Sequence, residues 1–397
     1  MWEEDKLFRI MLLYVTCLIF ILWSAIHIHP RLQKYYKKLF VAEVALMGLI
    51  CGLRDMLGGY DNYIYGEIFD VTVDDIALKI PMWKTTAFTI INQEYAYSML
   101  NWLLAHVTHN RYIFFFIVSL IVFTCFYLHI RNLCKYPLIS FFVLICLFYF
   151  FSFTYLRQVL AVCTAWFAIP FAINRKPIPF FSIVVLAFLF HNSAILFAAC
   201  YFVINIKLTK NQIIYVFLIS FILGLSPLGS FLMSTLGSEI NSVKADLSVK
   251  YGGNARFEYF LEAMFFLYLI ISQYDKLLRD KKNNAMLNIA IMFCTVLLFF
   301  IRFSDGGRMS WFFLIGVVSI TSQVNAVIKK SNNARIISYV VLSLLYLRIV
   351  FSWGTILSPY KTFLTNGVRE NDGVYERYEY DTKYAEDKMY RDPWVLW

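Results

Sequence analysis

The sequence predicts an all-α polytopic integral membrane protein, on the evidence of its composition, its long apolar runs and the placement of its basic residues. Of the 397 residues, 60% are hydrophobic and only 16% are charged, whereas soluble domains are about half apolar and about a quarter charged. Many windows reach the ~20 apolar residues that a transmembrane helix needs. These windows are continuous rather than alternating, which excludes a membrane β-barrel.

Ten segments are predicted to cross the membrane completely. They are residues 8–28, 39–56, 111–131, 137–156, 157–173, 212–235, 257–274, 285–303, 310–328 and 335–353. Basic residues collect in cytoplasmic loops. Placing every basic loop on that side makes residues 178–206 enter and return near His191, and it leaves residues 85–108 along the outer interface. The prediction is therefore about 10–12 helices with re-entrant or interfacial elements, and with both termini outside.

Two regions differ in composition along the chain. Residues 1–353 form the predicted transmembrane domain, with outer loops at 54–94 and 236–256. Residues 354–397 form a hydrophilic tail that we expect outside the cytoplasm. The net charge of +10 is explained by the cytoplasmic loops and does not indicate nucleic acid. The eight cysteines include no CxxC pair, which suggests neither a zinc site nor a disulfide framework. We expect no bound metal and no cofactor.

The basic residues at the predicted outer helix ends are all arginines, whereas Lys outnumbers Arg in the cytoplasmic loops. The outer set is Arg54, Arg157, Arg256, Arg302, Arg308 and Arg348. The positive-inside rule does not choose between Lys and Arg, but the planar fork of Arg grips phosphate or carboxylate with two bonds. The pattern predicts an anionic ligand, with pyrophosphate as the natural candidate. The alternative is that these side chains reach lipid head groups or pair with nearby carboxylates.

The segment "LRDMLGGYDNYIYGEIF" at 53–69 follows the second predicted span. Its Gly pair allows a tight turn, which is expected to bring Arg54, Asp61 and Tyr65 to the mouth of a cavity. Asp61 is a candidate general base or acceptor of a sugar hydroxyl. The alternative for Asp61 is a solvated loop carboxylate.

Arg157 and Gln158 begin a helix directly after the preceding one ends, within "TYLRQVLA". A helix N-terminus carries positive potential and favours an anion. This pair is therefore a candidate anion site, unless Arg157 merely marks an outer loop.

Three further motifs carry candidate side chains. His191 in "FLFHNSAILF" lies at the predicted tip of the returning hairpin and could act as a base. Arg302 and Arg308 flank a Gly-Gly turn with Asp305, which could cradle phosphate oxygens. Glu94 precedes an aromatic amphipathic stretch and could accept a proton. Each motif also has a purely structural interpretation as a core His, a polar loop or an interfacial helix.

The ordered motifs resemble bacterial O-antigen and exopolysaccharide polymerases of the Wzy/EpsG type. The resemblance rests on "RDMLGGYDNYIY" from Arg54, then Glu94, "YLRQVLA", a basic "NRKP" turn, "FHNSA" and a late Arg-containing loop at 302–308. It extends from about residue 40 to 320. The late loop is a loose match, and the tail after 354 has no recognised counterpart.

The resemblance implies a GT-C-like glycosyltransferase in the bacterial inner membrane, with its active site facing the periplasm. The donor would be a growing glycan on undecaprenyl pyrophosphate, and the acceptor a single lipid-linked repeat unit. A flippase and a chain-length regulator would be further partners, besides membrane lipid. Arg157, Arg302, Arg308 and Arg54 would stabilise the pyrophosphate leaving group, and the order of candidate bases is His191, Asp61 and then Glu94.

Two other functions fit parts of the pattern. A transporter of lipid-linked oligosaccharides often has internal repeats and midplane sites, but no repeat is evident here and the charges favour the outer helix ends. An O-antigen ligase uses the same donor with lipid A core as acceptor, and it would share the arginines. Only the family resemblance separates the ligase from the polymerase.

Overall fold

The regular structure of the chain is helical throughout the part that the structure describes. The computed structural model describes residues 2–27, 33–228, 255–277, 280–303, 306–328 and 333–395, and it contains no strand within these ranges. Residues 236–254 of the predicted outer loop, and Asp305, lie outside the described residues. The all-α prediction is confirmed.

The helices before residue 204 form the first part of the bundle. They are α1 (Trp2–Ile26), α2 (Gln33–Leu53), α3 (Tyr60–Ala77), α4 (Thr86–Ile90), α5 (Tyr95–Ala105), α6 (Arg111–Leu133), α7 (Pro137–Phe148), α8 (Phe151–Thr154), α9 (Leu156–Trp166), α10 (Ile169–Ile173), α11 (Pro177–Phe190) and α12 (Cys200–Val203). Short 3₁₀ helices occur at Met82–Lys84 and Asn192–Ala199.

The later helices complete the bundle and the tail. They are α13 (Lys210–Leu225), α14 (Phe257–Ser272), α15 (Lys281–Phe299), α16 (Gly306–Ser310), α17 (Leu314–Val327), α18 (Asn333–Ser352), α19 (Gly354–Leu357), α20 (Tyr375–Tyr378) and α21 (Lys383–Glu386). The 3₁₀ helices Tyr274–Lys276 and Trp311–Phe313 lie between them.

Several helices begin at residues that satisfy or avoid the unpaired N–H groups of a first turn. Asn110 accepts from the Tyr112 backbone N–H before α6, and Asp280 does the same for Asn283 before α15. Thr209 forms a capping box with Gln212 at α13. Helices α7 and α11 instead begin with Pro, which has no N–H to satisfy.

Five stretches of the described chain are long and apolar enough to cross a membrane. They are Arg111–Leu133, Leu156–Ile173, Lys281–Phe299, Gly306–Val327 and Asn333–Ser352. Shorter apolar helices accompany them at Leu12–Ile26, Pro137–Phe148, Pro177–Phe190, Asn192–Val203 and Lys210–Leu225. A polytopic membrane fold is therefore confirmed.

Helices α15 and α17 form the centre of the bundle, and α18 lies at its edge. The apolar window of Gly306–Val327 is 89% buried, whereas that of Asn333–Ser352 is 33% buried. Gly316 allows the close packing of α17 on α15, because a Cβ there would lie 2.3 Å from the Ala290 backbone nitrogen. Small residues permit such close approach between membrane helices. The outer surface of α18 is left for lipid.

The run from 137 to 173 breaks where the sequence predicts. Helix α8 ends at Thr154 and α9 begins at Leu156, with Tyr155 in a non-helical conformation between them. Gly58 packs against this break, since a Cβ there would lie 2.7 Å from the Phe153 carbonyl oxygen. Gly58 also has φ +121°, a conformation that favours glycine. The loop after α2 is thereby held against the start of α9.

The segment 178–206 turns back at His191, as predicted. Helix α11 ends at Phe190, His191 is extended, and a 3₁₀ helix begins at Asn192. The two arms lie side by side, because the rings of Phe180 and Phe197 stack with centroids 6.1 Å apart. The tip of this hairpin carries His191 and Ser193.

The tail from residue 354 packs on the bundle within the described residues. Its contacts include α3, the start of α6 and the end of α2. The Tyr384 hydroxyl donates to Asp70 at 3.1 Å, and Phe363 stacks on Tyr112 at 5.6 Å. Arg111 is buried between Asp70 and Glu379 of the tail, at 2.5 Å and 3.0 Å.

Candidate active site

Arg157 lies in the first turn of α9 and joins three separate parts of the chain. Its Nη1 is 2.5 Å from Glu94 Oε2, and its Nε donates to the Tyr65 hydroxyl at 3.1 Å. Glu94 immediately precedes α5, and Tyr65 is on α3. The anion that the N-terminus of α9 was predicted to attract is thus, in this structure, a carboxylate of the protein itself.

Tyr65 contributes a neutral phenol to this arrangement. Burial raises the pKa of its hydroxyl, and the opposing charge of Arg157 is the smaller effect. The oxygen accepts from Arg157, so the phenolic proton is left to donate elsewhere. Tyr65 also packs edge-to-face on Tyr97, with ring centroids 5.7 Å apart.

Glu94 also connects Arg157 to the tip of the hairpin. Its Oε1 is 4.0 Å from His191 Nε2 and accepts from the Asn192 backbone N–H at 3.4 Å. His191 Nδ1 accepts from the Ser193 N–H at 3.3 Å and lies 2.6 Å from the Ser193 hydroxyl. This network assigns the ring proton to Nε2, facing Glu94. Nε2 is 4.0 Å from the Glu94 carboxylate, beyond hydrogen-bond distance, and the role of His191 as a base stays a prediction.

Gln158 links the hairpin tip to α16. Its buried amide donates to the Arg308 carbonyl at 3.0 Å and to the Ser193 hydroxyl at 3.4 Å. The Arg308 Nε donates in turn to Gln158 Oε1 at 2.9 Å. This two-way contact fixes the orientation of the Arg308 guanidinium. Gln158 thus positions an arginine 150 residues away along the chain.

The connected side chains are called the polar cluster: Tyr65, Glu94, Arg157, Gln158, His191 and Ser193. Arg308 lies between the polar cluster and a cavity of about 420 Å³. Its guanidinium stacks over the Tyr155 ring at 4.2 Å and lies 6.0 Å from the Trp311 ring. The polar and aromatic lining of the cavity includes Tyr155, Arg256, Tyr259, Glu262, Arg308, Trp311, Arg348 and Trp353. Guanidinium groups suit the binding of phosphate oxygens, and aromatic rings suit apolar or sugar surfaces.

A family model for the EpsG family matches residues 37–362. The chain belongs to the EpsG family. Membership supports a polysaccharide-polymerase type of function in general terms. The match includes the whole polar cluster and all the residues that line the cavity, and it ends before most of the tail. No curated protein and no solved structure matches the chain significantly.

Arg54 of this EpsG-family chain is not at the mouth of the cavity, the position predicted from the Gly-Gly turn. The side chain is buried, and its guanidinium donates to the carbonyls of Leu57 at 3.0 Å and Phe153 at 2.8 Å, and to that of Cys51. Arg54 therefore ties the loop after α2 to the segment before α9. The prediction that it binds an anion does not fit this position.

Arg302 also occupies a different environment from Arg308, although both flank the Gly pair. Arg302 is exposed, and its Nη1 donates to the Leu225 carbonyl at 3.1 Å at the end of α13. It does not line the cavity that Arg308 lines. The predicted phosphate cradle with both arginines is therefore not assembled in this arrangement.

Asp61 lies in the first turn of α3, one helical turn before Tyr65. It is half-buried. The charge of the Asp61 carboxylate raises the pKa of the neighbouring Tyr60 phenol. Asp61 shares α3 with Tyr65, a member of the polar cluster.

Several cavity residues were not among the sequence-predicted site residues. Arg256, Arg348 and Glu262 were recognisable only as charges at outer helix ends. The sequence did not single out Tyr155, Trp311 and Trp353 as site residues, because aromatic residues are common throughout the chain, at 19% of its length. Nothing local to the sequence distinguishes the few rings that line a cavity from the many that pack in the bundle.

Proposed function

We propose that the chain is a membrane glycosyltransferase that polymerises undecaprenyl-pyrophosphate-linked oligosaccharide repeat units into O-antigen, capsule or exopolysaccharide. The observation that carries the proposal is the fixed Arg308 guanidinium at a cavity that also contains Arg256 and Arg348. EpsG family membership supports the general class of reaction. The active site would face the periplasm of a bacterial inner membrane, opposite the predicted basic loops.

The proposed reaction transfers the growing glycan from one lipid to another. A sugar hydroxyl of the acceptor forms a bond to the anomeric carbon of the donor. The bond from that carbon to the pyrophosphate oxygen breaks, and its electron pair leaves with undecaprenyl pyrophosphate. Arg308, Arg256 and Arg348 would stabilise the developing negative charge, and Arg308 is already held in orientation by Gln158.

The hydroxyl proton needs an acceptor. Glu94 is engaged by Arg157, by the Asn192 N–H and by the His191 turn, which lowers its value as a free base. Asp61 lies one helical turn before Tyr65 on α3, beside the polar cluster, and is the candidate that we take instead. We propose that Asp61 receives the proton, while Glu94, Arg157, His191 and Tyr65 hold the surrounding loops in place.

The test compares two arginines on either side of the same Gly pair. In a strain that lacks the gene, the unmodified protein should restore long glycan, as seen by gel electrophoresis of the surface polysaccharide. Arg308→Lys should leave glycan capped at one repeat unit while the protein level stays normal, because Lys cannot reproduce the planar fork. Arg302→Lys is the matched control and should restore normal length.

Two results would contradict the proposal. Normal chain length with Arg308→Lys would remove the proposed role of the cavity in stabilising the leaving group. Complete loss of glycan from lipid A in the deletion strain would point instead to the ligase or to the transporter.

A further inference from the structure

An apolar groove adjoins the arginine-lined cavity at the edge of the bundle. It has a volume of about 520 Å³ and runs between α14 and α18. Its lining is Phe257, Glu258, Leu261, Glu262, Phe265, Val341, Leu344, Leu345 and Arg348. Glu262, Leu345 and Arg348 also line the cavity. The groove and the cavity are therefore neighbouring compartments that share a wall.

The two compartments differ in chemical character. The groove is bordered mainly by aliphatic and aromatic side chains, and several of them are open to the surroundings: Leu261 is 52% exposed and Leu344 is 58% exposed. Both helices belong to predicted membrane spans, so these side chains face lipid. The cavity supplies the guanidinium groups of Arg256 and Arg308. A ligand that occupies both compartments needs an anionic end and a long apolar end.

Arg348 lies at the junction of the two compartments. Its Nη2 is 3.8 Å from Glu258 Oε1, and both side chains are about half exposed, at 49% and 48%. This ion pair connects α18 to α14 across the groove. An exposed pair contributes little to stability, so a phosphate that binds Arg348 can replace the Glu258 carboxylate at small cost.

We propose that the groove between α14 and α18 binds the polyprenyl chain of a lipid-linked substrate whose pyrophosphate is held by Arg308 and Arg348. The inference rests on the proposed function for the identity of the lipid. The apolar chain leaves the cavity sideways into the bilayer, and no aqueous path for it is needed. The doubled phosphate favours this occupant over an ordinary phospholipid, because the cavity that shares Arg348 with the groove also contains Arg256 and Arg308.

The experiment uses photocrosslinking of the full chain in vesicles of phosphatidylethanolamine and phosphatidylglycerol. A benzophenone amino acid replaces Leu261, which lines the groove, or Met264, which is 40% exposed on the same helix but does not line it. The probe is undecaprenyl pyrophosphate with radioactive phosphates. Labelling at position 261 should be several-fold stronger than at 264. Excess unlabelled probe should reduce it, and phosphatidic acid should not.

Equal labelling at the two positions would overturn the proposal, as would equal competition by phosphatidic acid, which would make the groove a general lipid contact. A second measurement does not depend on the crosslinker. Leu261→Trp should fill the groove and raise the KM for the lipid-linked donor several-fold, whereas Met264→Trp should leave it unchanged. An unchanged KM for Leu261→Trp would count against the proposal.

The two proposals can fail separately. If Arg308→Lys abolishes polymer but positions 261 and 264 label equally, the polymerase proposal stands and the groove proposal fails. If position 261 labels specifically but Arg308→Lys leaves polymer length normal, the groove binds a polyprenyl lipid in a protein with another function.

Discussion

Glu94 is the residue on which the polar cluster depends. It is buried, and its two oxygens contact Arg157, the Asn192 N–H and the His191 ring. A buried carboxylate needs such partners because desolvation without them is costly. The same contacts join α5, α9 and the hairpin tip, so one side chain controls the relative positions of three elements of the site.

The Glu94–Arg157 pair should show energetic coupling. Glu94→Gln and Arg157→Gln should each lower the free energy of unfolding, because each leaves a charge with its partner removed. The double variant should lose less than the sum of the single losses, by about 0.5–3 kcal/mol. Unfolding of the purified protein in detergent measures all four forms. Additive losses would mean that the pair is not coupled.

Asp61 should be needed for turnover rather than for stability. Asp61→Asn should reduce kcat by about 10²-fold or more, the usual contribution of a general base, with KM for the lipid-linked repeat unit nearly unchanged. Polymerisation by the purified protein in vesicles gives both constants. Glu67→Gln is the control on the same helix, where the carboxylate is 36% exposed. Unchanged kcat for Asp61→Asn would remove Asp61 from the reaction.

Among the helices, α15 and α17 determine where the cavity forms. Leu297 and Phe293 of α15 and Leu314 of α17 line the cavity, so the spacing of these helices sets its floor. That spacing depends on Gly316, whose hydrogen faces the backbone of Ile289 and Ala290. The pair is buried in the centre of the bundle and has little room to adjust.

Gly316→Ala should therefore be strongly destabilising for a one-carbon change. The new Cβ would lie 2.3 Å from the Ala290 nitrogen, and the contact can be relieved only by moving one helix. We expect a loss of about 1–3 kcal/mol or more, as for other overpacked cores. The thermal unfolding midpoint measures this. Gly354→Ala is the control, because a Cβ there meets no atom within 4 Å, and an equal effect of both changes would contradict the packing argument.

At the scale of the whole molecule, the tail and the membrane domain form one packed structure in the described residues. Arg369 of the tail lies 3.5 Å from Asp55, and Arg391 lies 3.0 Å from Asp74. Lys388 is buried, and its Nζ donates to the Tyr112 hydroxyl at 3.1 Å. Most of the tail lies beyond the family match. It covers α3, the helix that carries Asp61 and Tyr65.

The packing of the tail should depend on pH through Lys388. Burial lowers the pKa of Lys388 to about 8, and the nearby Asp55 carboxylate only partly opposes this. The folded state therefore favours the neutral amine, so stability should be lowest below about pH 8 and should rise as the pH increases above it. Unfolding of the purified protein between pH 7 and about 9.5 tests whether stability rises in this way.

Two variants at lysines of the tail serve as controls. Lys388→Met should remove the pH dependence, whereas Lys383→Met at an exposed position should retain it. A stability that falls over this range in the unmodified protein would contradict the prediction.

The sequence alone determined the class of fold and the main interruptions of its helices. Apolar runs of sufficient length force helices, since unpaired backbone groups are too costly in a bilayer. The break before Leu156 adjoins the charged Arg157, and the turn at His191 follows from placing the basic loops on one side of the membrane. These conclusions need no knowledge of which helix packs on which.

Only the tertiary structure decided which candidate residues meet. Arg54 and Arg157 both begin or end apolar helices, yet one is held by backbone carbonyls and the other by Glu94, 63 residues away. Arg302 and Arg308 lie on either side of the same Gly pair but donate to different neighbours. The partner of a charged side chain is set by the packing of distant helices, and that packing depends on shapes and close contacts, such as that of Gly316, which no local pattern encodes.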